Sequence, residues 1–207
     1  MRSIDLAGFD AKFSDSEDPW STFTNRDEAR KRKAILRGIG SRRVGRVLEL
    51  AAGNGSNSIG LARLSLRLDA TEGTLSGVRL VKRAVGDIPR VRVSQLVLPA
   101  RFPRATYDSI VVAEVLYYLN AQEMSAVARA IAVTLRPGGR LILAHHRVDY
   151  PDFVQHAADI HHCFLVMGGA NWRTDKAVRT GRWHVQVFTR IHHVKGGMGP
   201  HLVRGYQ

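Results

Sequence analysis

The chain has 207 residues, 44% hydrophobic and 24% charged, the balance of a folded domain rather than a disordered segment, and its length suits one domain. No apolar run approaches the roughly 20 residues of a membrane span, the acidic N-terminus MRSIDLAGFDAKFSDSEDPW lacks the features of an export signal, and the single cysteine, Cys163, excludes an internal disulfide, so a cytoplasmic protein is expected. The formal charge of +13 raises the question of nucleic acid, but the excess sits in three blocks (26–46, 79–104 and 173–207), while 47–78 and 105–172 carry −1 and −2.

Residues 1–18 read as a polar, mobile segment. From Asn25, NRDEARKRKAILRGI reads as a helix, with Asp27 and Glu28 at the positive end of the helix dipole. The apolar run RVLEL (46–50) enters a Gly-rich turn, and NSIGLARLSLRL after it carries helical spacing at Ile59, Leu61, Ala62 and Leu66. A strand before Glu72, a helix in TLSGVRLVKRAVGD and a strand at 90–97 repeat the alternation. A strongly apolar strand at 107–116 and the helix NAQEMSAVARAIAVTL follow. Pro137-Gly138-Gly139 then turns the chain into RLILAHH (140–146). Strands alternating with helices predict a doubly wound α/β fold, Rossmann-like, with a mainly parallel sheet covered on both faces. The segment WRTDKAVRTGRWHVQVFTRIHHV, with a turn at Thr180-Gly181, predicts a C-terminal antiparallel hairpin on the sheet edge. Cys163, in Cys-Phe-Leu-Val-Met, is expected in the core.

Four stretches carry chemistry. The first runs from Glu49 through Ala51, Gly53, Asn54 and Gly55 to Asn57, between a strand and a helix. Glycines there let backbone approach a ligand, and the helix N-terminus offers free N–H groups. The second is Glu72-Gly73-Thr74 at the end of the next strand, where a carboxylate can accept from both hydroxyls of a ribose. Asp69 competes for that role but falls inside the strand pattern. The third is the strand ending in Glu114, followed by Tyr117 and Tyr118, which delivers a carboxylate to the carboxyl edge where open α/β sheets bind ligands. The fourth brings His145 and His146 to the same edge, with Asp159 and His161-His162 further on; histidine titrates near neutrality and can move a proton. No histidine pair, His192-His193 included, has the helical i,i+4 spacing of a zinc motif, so no metal is expected.

These stretches, in this order over residues 44–146, resemble class I S-adenosylmethionine-dependent methyltransferases. Asp18-Pro19-Trp20, the run Ile-Val-Val-Ala-Glu-Val-Leu-Tyr-Tyr-Leu at 110–119 and the Pro-Gly-Gly turn are most similar to the NodS family, whose founding members N-methylate the deacetylated glucosamine of a chitin-oligosaccharide nodulation signal. The resemblance implies S-adenosylmethionine as cofactor, with S-adenosylhomocysteine as product. It implies that loop 49–57 holds the methionine part, Glu72 with Gly73 and Thr74 the ribose, and Leu96 the adenine, with Val97 in the usual acidic position. It further implies a helical lid over 1–43 carrying Trp20, a cofactor core over 44–146, and substrate-side elements with the hairpin over 147–207. The acceptor expected is a small-molecule amine, such as an amino sugar. Glu114, His145 and His161 are the candidate catalytic residues, the histidines as proton acceptors or substrate-orienting groups.

Two other classes fit less well. A nucleic-acid base methyltransferase would carry an Asn/Asp-Pro-Pro-aromatic motif where this chain reads Ala-Glu-Val-Leu, and the basic blocks lack interleaved aromatics. A nicotinamide-dependent oxidoreductase would share the first strand and loop, but not the Glu114 strand with a hairpin tail.

Overall fold

The computed structural model describes residues 4–191. Its strands are β1 (Val44–Leu50), β2 (Ser65–Glu72), β3 (Val91–Gln95), β4 (Tyr107–Ala113), β5 (Leu135–His146), β6 (Trp172–Arg179) and β7 (Trp183–Arg190). They form one sheet in the order β3-β2-β1-β4-β5-β7-β6. The first five pair in parallel, β7 joins β5 antiparallel, and β6 pairs antiparallel with β7 at the edge. The sheet and its C-terminal hairpin thus match the predicted architecture. The His192–Val194 end of the predicted hairpin, and with it the pair His192-His193, lies outside the described residues.

The helices are α1 (Leu6–Asp15), α2 (Arg26–Ile39), α3 (Ser58–Leu64), α4 (Leu75–Val85), α5 (Ala121–Thr134) and α6 (Ile160–Gly168). None among the described residues is long and apolar enough to cross a membrane. On one face of the sheet, Ile35, Ile39, Leu61 and Val81 of α2, α3 and α4 pack on Val47, Val111 and Ile142. On the other, Met124, Ile131, Ile160 and Phe164 of α5 and α6 pack on Leu48, Ile110 and Leu143. The alternation of side chains along each strand divides the two cores. Local caps fix where helices start. Asn25 accepts from the Asp27 N–H at 2.7 Å, Thr74 from the Gly77 N–H at 3.0 Å, and Asn120 forms a reciprocal box with Glu123. Helix α2 lies so close to the sheet that a Cβ on Gly38 would stand 2.8 Å from Val187 Cγ2 and 3.3 Å from Ile142 Cγ1.

In the polar segment 1–18 helix α1 forms, capped by Asp5, with Phe9 and Phe13 one turn apart on its packed side. Three local expectations are corrected. Helix α3 stops at Leu64, where the Ser65 hydroxyl donates to the Leu61 carbonyl at 2.8 Å, and Leu66 belongs to β2, its side chain exposed. Strand β4 stops at Ala113, because Glu114 turns left-handed at φ 55° and a 3-10 turn follows at Leu116–Tyr118. Cys163 is exposed on α6, whose buried side is carried by Ile160, His161 and Phe164.

The order of the parallel strands reverses between β1 and β4. Their carboxyl ends, with the loops that follow, flank the crevice where such sheets bind ligands.

Candidate active site

One wall of the crevice is the loop after β1. Ala51 and Gly53 take left-handed φ values of 52° and 61°, which fold the loop back sharply after the strand. Gly55 is required for a different reason: a Cβ there would stand 2.9 Å from Ala84 Cβ and 3.1 Å from Val81 Cα of α4. At the end of β2 the buried Glu72 organises the loop. Its Oε2 accepts from the Gly53 N–H at 2.9 Å, and its Oε1 from the Thr74 N–H at 3.1 Å and the Thr74 hydroxyl at 3.3 Å. Burial pushes the Glu72 carboxyl up, against the pull of these donors. Glu72 also holds the adjoining wall, since its carbonyl accepts from the Leu96 N–H at 2.8 Å; Val97 is exposed beside it. Asp69 is spent elsewhere, accepting from the Tyr107 hydroxyl at 3.1 Å in mid-sheet.

Glu49, at the end of β1, is 1% exposed. Its Oε2 accepts from the Ser58 hydroxyl at 2.6 Å, and its Oε1 is buried with no partner. Burial pushes this carboxyl up to about 8, with the neighbouring Glu72 adding to the rise. A buried acceptor without a donor is costly, and it marks a place that suits a cationic group.

The N-terminal segment closes over this loop. Asp18 accepts from the Thr22 N–H at 2.6 Å, the Phe23 N–H at 3.0 Å and the Asn54 amide at 2.9 Å, tying the chain before α2 to the loop. Phe13 of α1 packs edge-on to Trp20 at 5.3 Å, and Phe9 reaches Tyr118 at 4.9 Å. Asp10 of α1 accepts from the Ser76 N–H at 2.9 Å, at the start of α4. Cβ atoms on Gly53 and Gly73 would meet Phe13 and Leu6 of the same helix. Trp20 itself remains 40% exposed, and Asn57 sits at the start of α3 without making a side-chain cap.

The opposite wall is built on Glu114. Its carboxylate takes the Lys31 ammonium, the Tyr117 hydroxyl and, at 3.3 Å, the His146 N–H. Burial would raise its pKa, but the Lys31 charge and the Lys31 and Tyr117 donors hold it below the usual carboxylate range. Lys31 is 3% exposed and also bonds Glu28 at 2.8 Å. The His146 ring lies with Nε2 3.8 Å from Glu28 and 3.9 Å from Glu114. Lys31, Glu28 and His146 were not among the predicted site residues. One signal was available: Lys31 stands three and four positions before Ala34 and Ile35, on the apolar stripe of α2, where an unpaired lysine would be expelled.

His145 and His161 depart from expectation. Both are buried, and their hydrogen bonds form a directed chain. The Leu116 N–H donates to His145 Nε2 at 3.2 Å, which leaves the proton of the neutral ring on Nδ1. That proton faces His161 Nε2 at 3.0 Å, and His161 Nδ1 in turn faces Gln186 Oε1 at 2.8 Å. Burial lowers both rings, His145 well below its usual value and His161 to about 4. No nitrogen is left on either ring to take a substrate proton. No group of three or more His, Cys, Asp or Glu among the described residues could hold a metal.

The model of the nodulation protein S (NodS) family matches residues 9–165. The chain belongs to the NodS family. A comparison with curated proteins finds no match. The N-methyltransferase NodS from Bradyrhizobium japonicum WM9, solved with S-adenosylhomocysteine, is 20% identical with a TM-score of 0.78, over 89% of this chain and 97% of that one. DhpI in complex with SAH is 18% identical with a TM-score of 0.67, over 90% and 95%. An O-methyltransferase family protein from Burkholderia thailandensis is 15% identical with a TM-score of 0.69, over 91% of this chain and 64% of that one. The fold is therefore the Rossmann-like methyltransferase fold. The NodS-family span takes in Glu28, Lys31, Glu49, Glu72, Glu114, His145, His146 and His161. Gln186, which ends the histidine chain, lies on β7 beyond it.

Proposed function

We propose that the protein is a methyltransferase that uses S-adenosylmethionine and transfers its methyl group to the amine nitrogen of a small-molecule acceptor, such as an amino sugar or a deacetylated chitooligosaccharide. The observation that carries the reading is the pair of buried carboxylates at adjacent strand ends: Glu72, held by backbone donors, and Glu49, with Oε1 unpartnered. Three of the four lone-pair sites of Glu72 are taken, which leaves one, on Oε2, for a ribose hydroxyl. Glu49 suits the ammonium of a methionine, and the N–H groups of loop 51–57 suit its carboxylate. Leu96 gives an apolar contact for the adenine, and α1 with Trp20 serves as the lid. The cofactor, when bound, supplies a methyl on a positive sulfonium and needs little activation from the protein.

What the chain must do is align the acceptor and exclude water. An amine arrives protonated. The ionised Glu114, fixed by Lys31 and Tyr117, orients that cation, and the ring faces of the Tyr118, Tyr150 and Phe153 cluster offer it aromatic surface. Methyl transfer needs the free base, so a proton must leave first. His146, beside Glu28 and Glu114, is the acceptor for it. His145 and His161 act as positioning residues: they fix the backbone at Leu116, and so the turn that carries Tyr117.

The test is calorimetry with S-adenosylhomocysteine, paired with a radiolabelled methyl-transfer assay over glucosamine oligomers, small amines and carboxylates. Binding of one S-adenosylhomocysteine per chain, with label appearing on an amine, is expected. His146→Gln should lower kcat at least tenfold and leave S-adenosylhomocysteine affinity unchanged. Absence of cofactor binding overturns the whole reading; label only on carboxylates overturns the amine; an unchanged kcat in His146→Gln overturns the base.

A further inference from the structure

A cavity of about 690 Å³ opens far from the methyl-transfer mouth, between the C-terminal end of α2, the start of β1 and the β6–β7 hairpin. It begins at Val44, the first residue of β1, and that strand of about 20 Å separates it from loop 51–57. Five cations line it: Arg37, Arg42, Arg43, Arg140 and Lys176; no acidic side chain does. None of the five forms an ion pair among the described residues. Arg140 is held in place by the Ile39 carbonyl at 2.8 Å, at the negative end of α2, and Arg43 by the Arg63 carbonyl at 3.2 Å. The acid of β6, Asp175, is bonded by Arg173 and Thr189 and also feels the charge of Arg140. The apolar lining includes Val44, Val178, Val185 and Val187 with Ile39 and two alanines, and no aromatic ring. The hairpin's share of the lining lies beyond the span the family model matches.

We propose that this cavity is a second binding site, for a phosphate ester with an aliphatic body. The volume is that of a small-molecule site. Five cations gathered around one cavity, with Asp175 the carboxylate that acts on Arg140, repel one another, and a multiply charged anion relieves that repulsion. Guanidinium groups bind phosphate oxygens in pairs, and Arg140 is already oriented by the helix end. The valine wall adds affinity for an aliphatic chain, whereas the lack of aromatic rings removes the stacking platform that a nucleobase needs. The site is independent of the methyl-transfer reading, since it shares no residue with it.

The experiment is calorimetry on the full chain with geranyl diphosphate and with inorganic pyrophosphate. One geranyl diphosphate per chain is expected, bound at least tenfold more tightly than pyrophosphate. The double variant Arg42→Glu/Lys176→Glu should lose at least tenfold in that affinity and bind S-adenosylhomocysteine as the wild type does. If the double variant fails to fold, Lys176→Ala alone should lose at least threefold. Cosedimentation with vesicles carrying phosphatidic acid, lost in the variant, would assign the site to a membrane phosphate ester; binding without cosedimentation assigns it to a soluble one. No geranyl diphosphate binding, equal binding by the variants, or tighter variant-sensitive binding of a short DNA duplex would overturn the proposal.

Discussion

A carboxyl group buried beside another carboxyl group keeps its proton, and at Glu49 that proton becomes a reporter of the ligand. Below pH 8 the free protein holds Glu49 neutral, while a bound ammonium requires the carboxylate. Binding of S-adenosylhomocysteine at pH 7 should therefore release close to one proton, measurable by calorimetry in buffers of different ionisation enthalpy. Affinity should rise from pH 6 to about 8 with a limiting slope of about tenfold per pH unit, and Glu49→Gln should abolish both effects. Lys31 illustrates the converse case. It is buried between Glu28 and Glu114, so Lys31→Met leaves two carboxylates facing each other without their cation. Because those carboxylates keep some solvent contact, a loss of roughly 1–3 kcal/mol is expected in urea denaturation. The acid limb of the pH profile of kcat/KM should also move upward, since Glu114 would lose the charge that keeps it ionised.

Between elements, the chain Leu116–His145–His161–Gln186 links the turn after β4 to β5, α6 and β7. Burial lowers the folded pKa values of both rings, so the stability they contribute is fully present above about 6.5 and is lost as pH falls through the folded values, to about 4 for His161. Urea midpoints should therefore drop steeply between pH 6.5 and 4. His161→Gln, which can still accept from His145 and donate to Gln186, should flatten that drop. Helix α2 is set by its contact at Gly38. Gly38→Ala would gain about 1 kcal/mol in helix propensity, but it forces a methyl against Val187 and Ile142, at a cost of roughly 1–3 kcal/mol. A net loss of stability is expected in urea, with a larger fall in kcat than in S-adenosylhomocysteine affinity, because α2 carries Glu28 and Lys31. Much of this level was legible in advance. The Gly-rich loop, Glu72 and the Glu114 strand lie where periodicity and strand ends predict, because each is a local signal. His146 was not legible as the mouth residue. Neighbours on a strand point to opposite faces, and which face meets Glu28 depends on where α2 packs. The bounds and contacts of α1 were not legible for the same reason: Phe9 and Phe13 find their partners in Tyr118 and Trp20, which no local pattern names.

For the whole molecule, a charge of +13 on 207 residues means self-repulsion in the folded state. Raising salt from about 0.01 M to about 0.15 M shortens the Debye length from about 30 to about 8 Å, so Tm should rise by a few degrees; an unchanged or lower Tm in scanning calorimetry would contradict this. The three basic blocks are separate in the sequence, yet folding brings Arg37, Arg42 and Arg43 from the first and Lys176 from the third to one cavity. Composition and order alone determined the fold class, the Gly-rich loop after the first strand and the carboxylates at the strand ends, since hydrophobic periodicity and turn chemistry are properties of neighbouring residues. The tertiary structure alone decided which histidine faces the mouth, which lysine is buried, and where the charge converges. Those depend on faces and distances between residues far apart in the chain, which only packing sets.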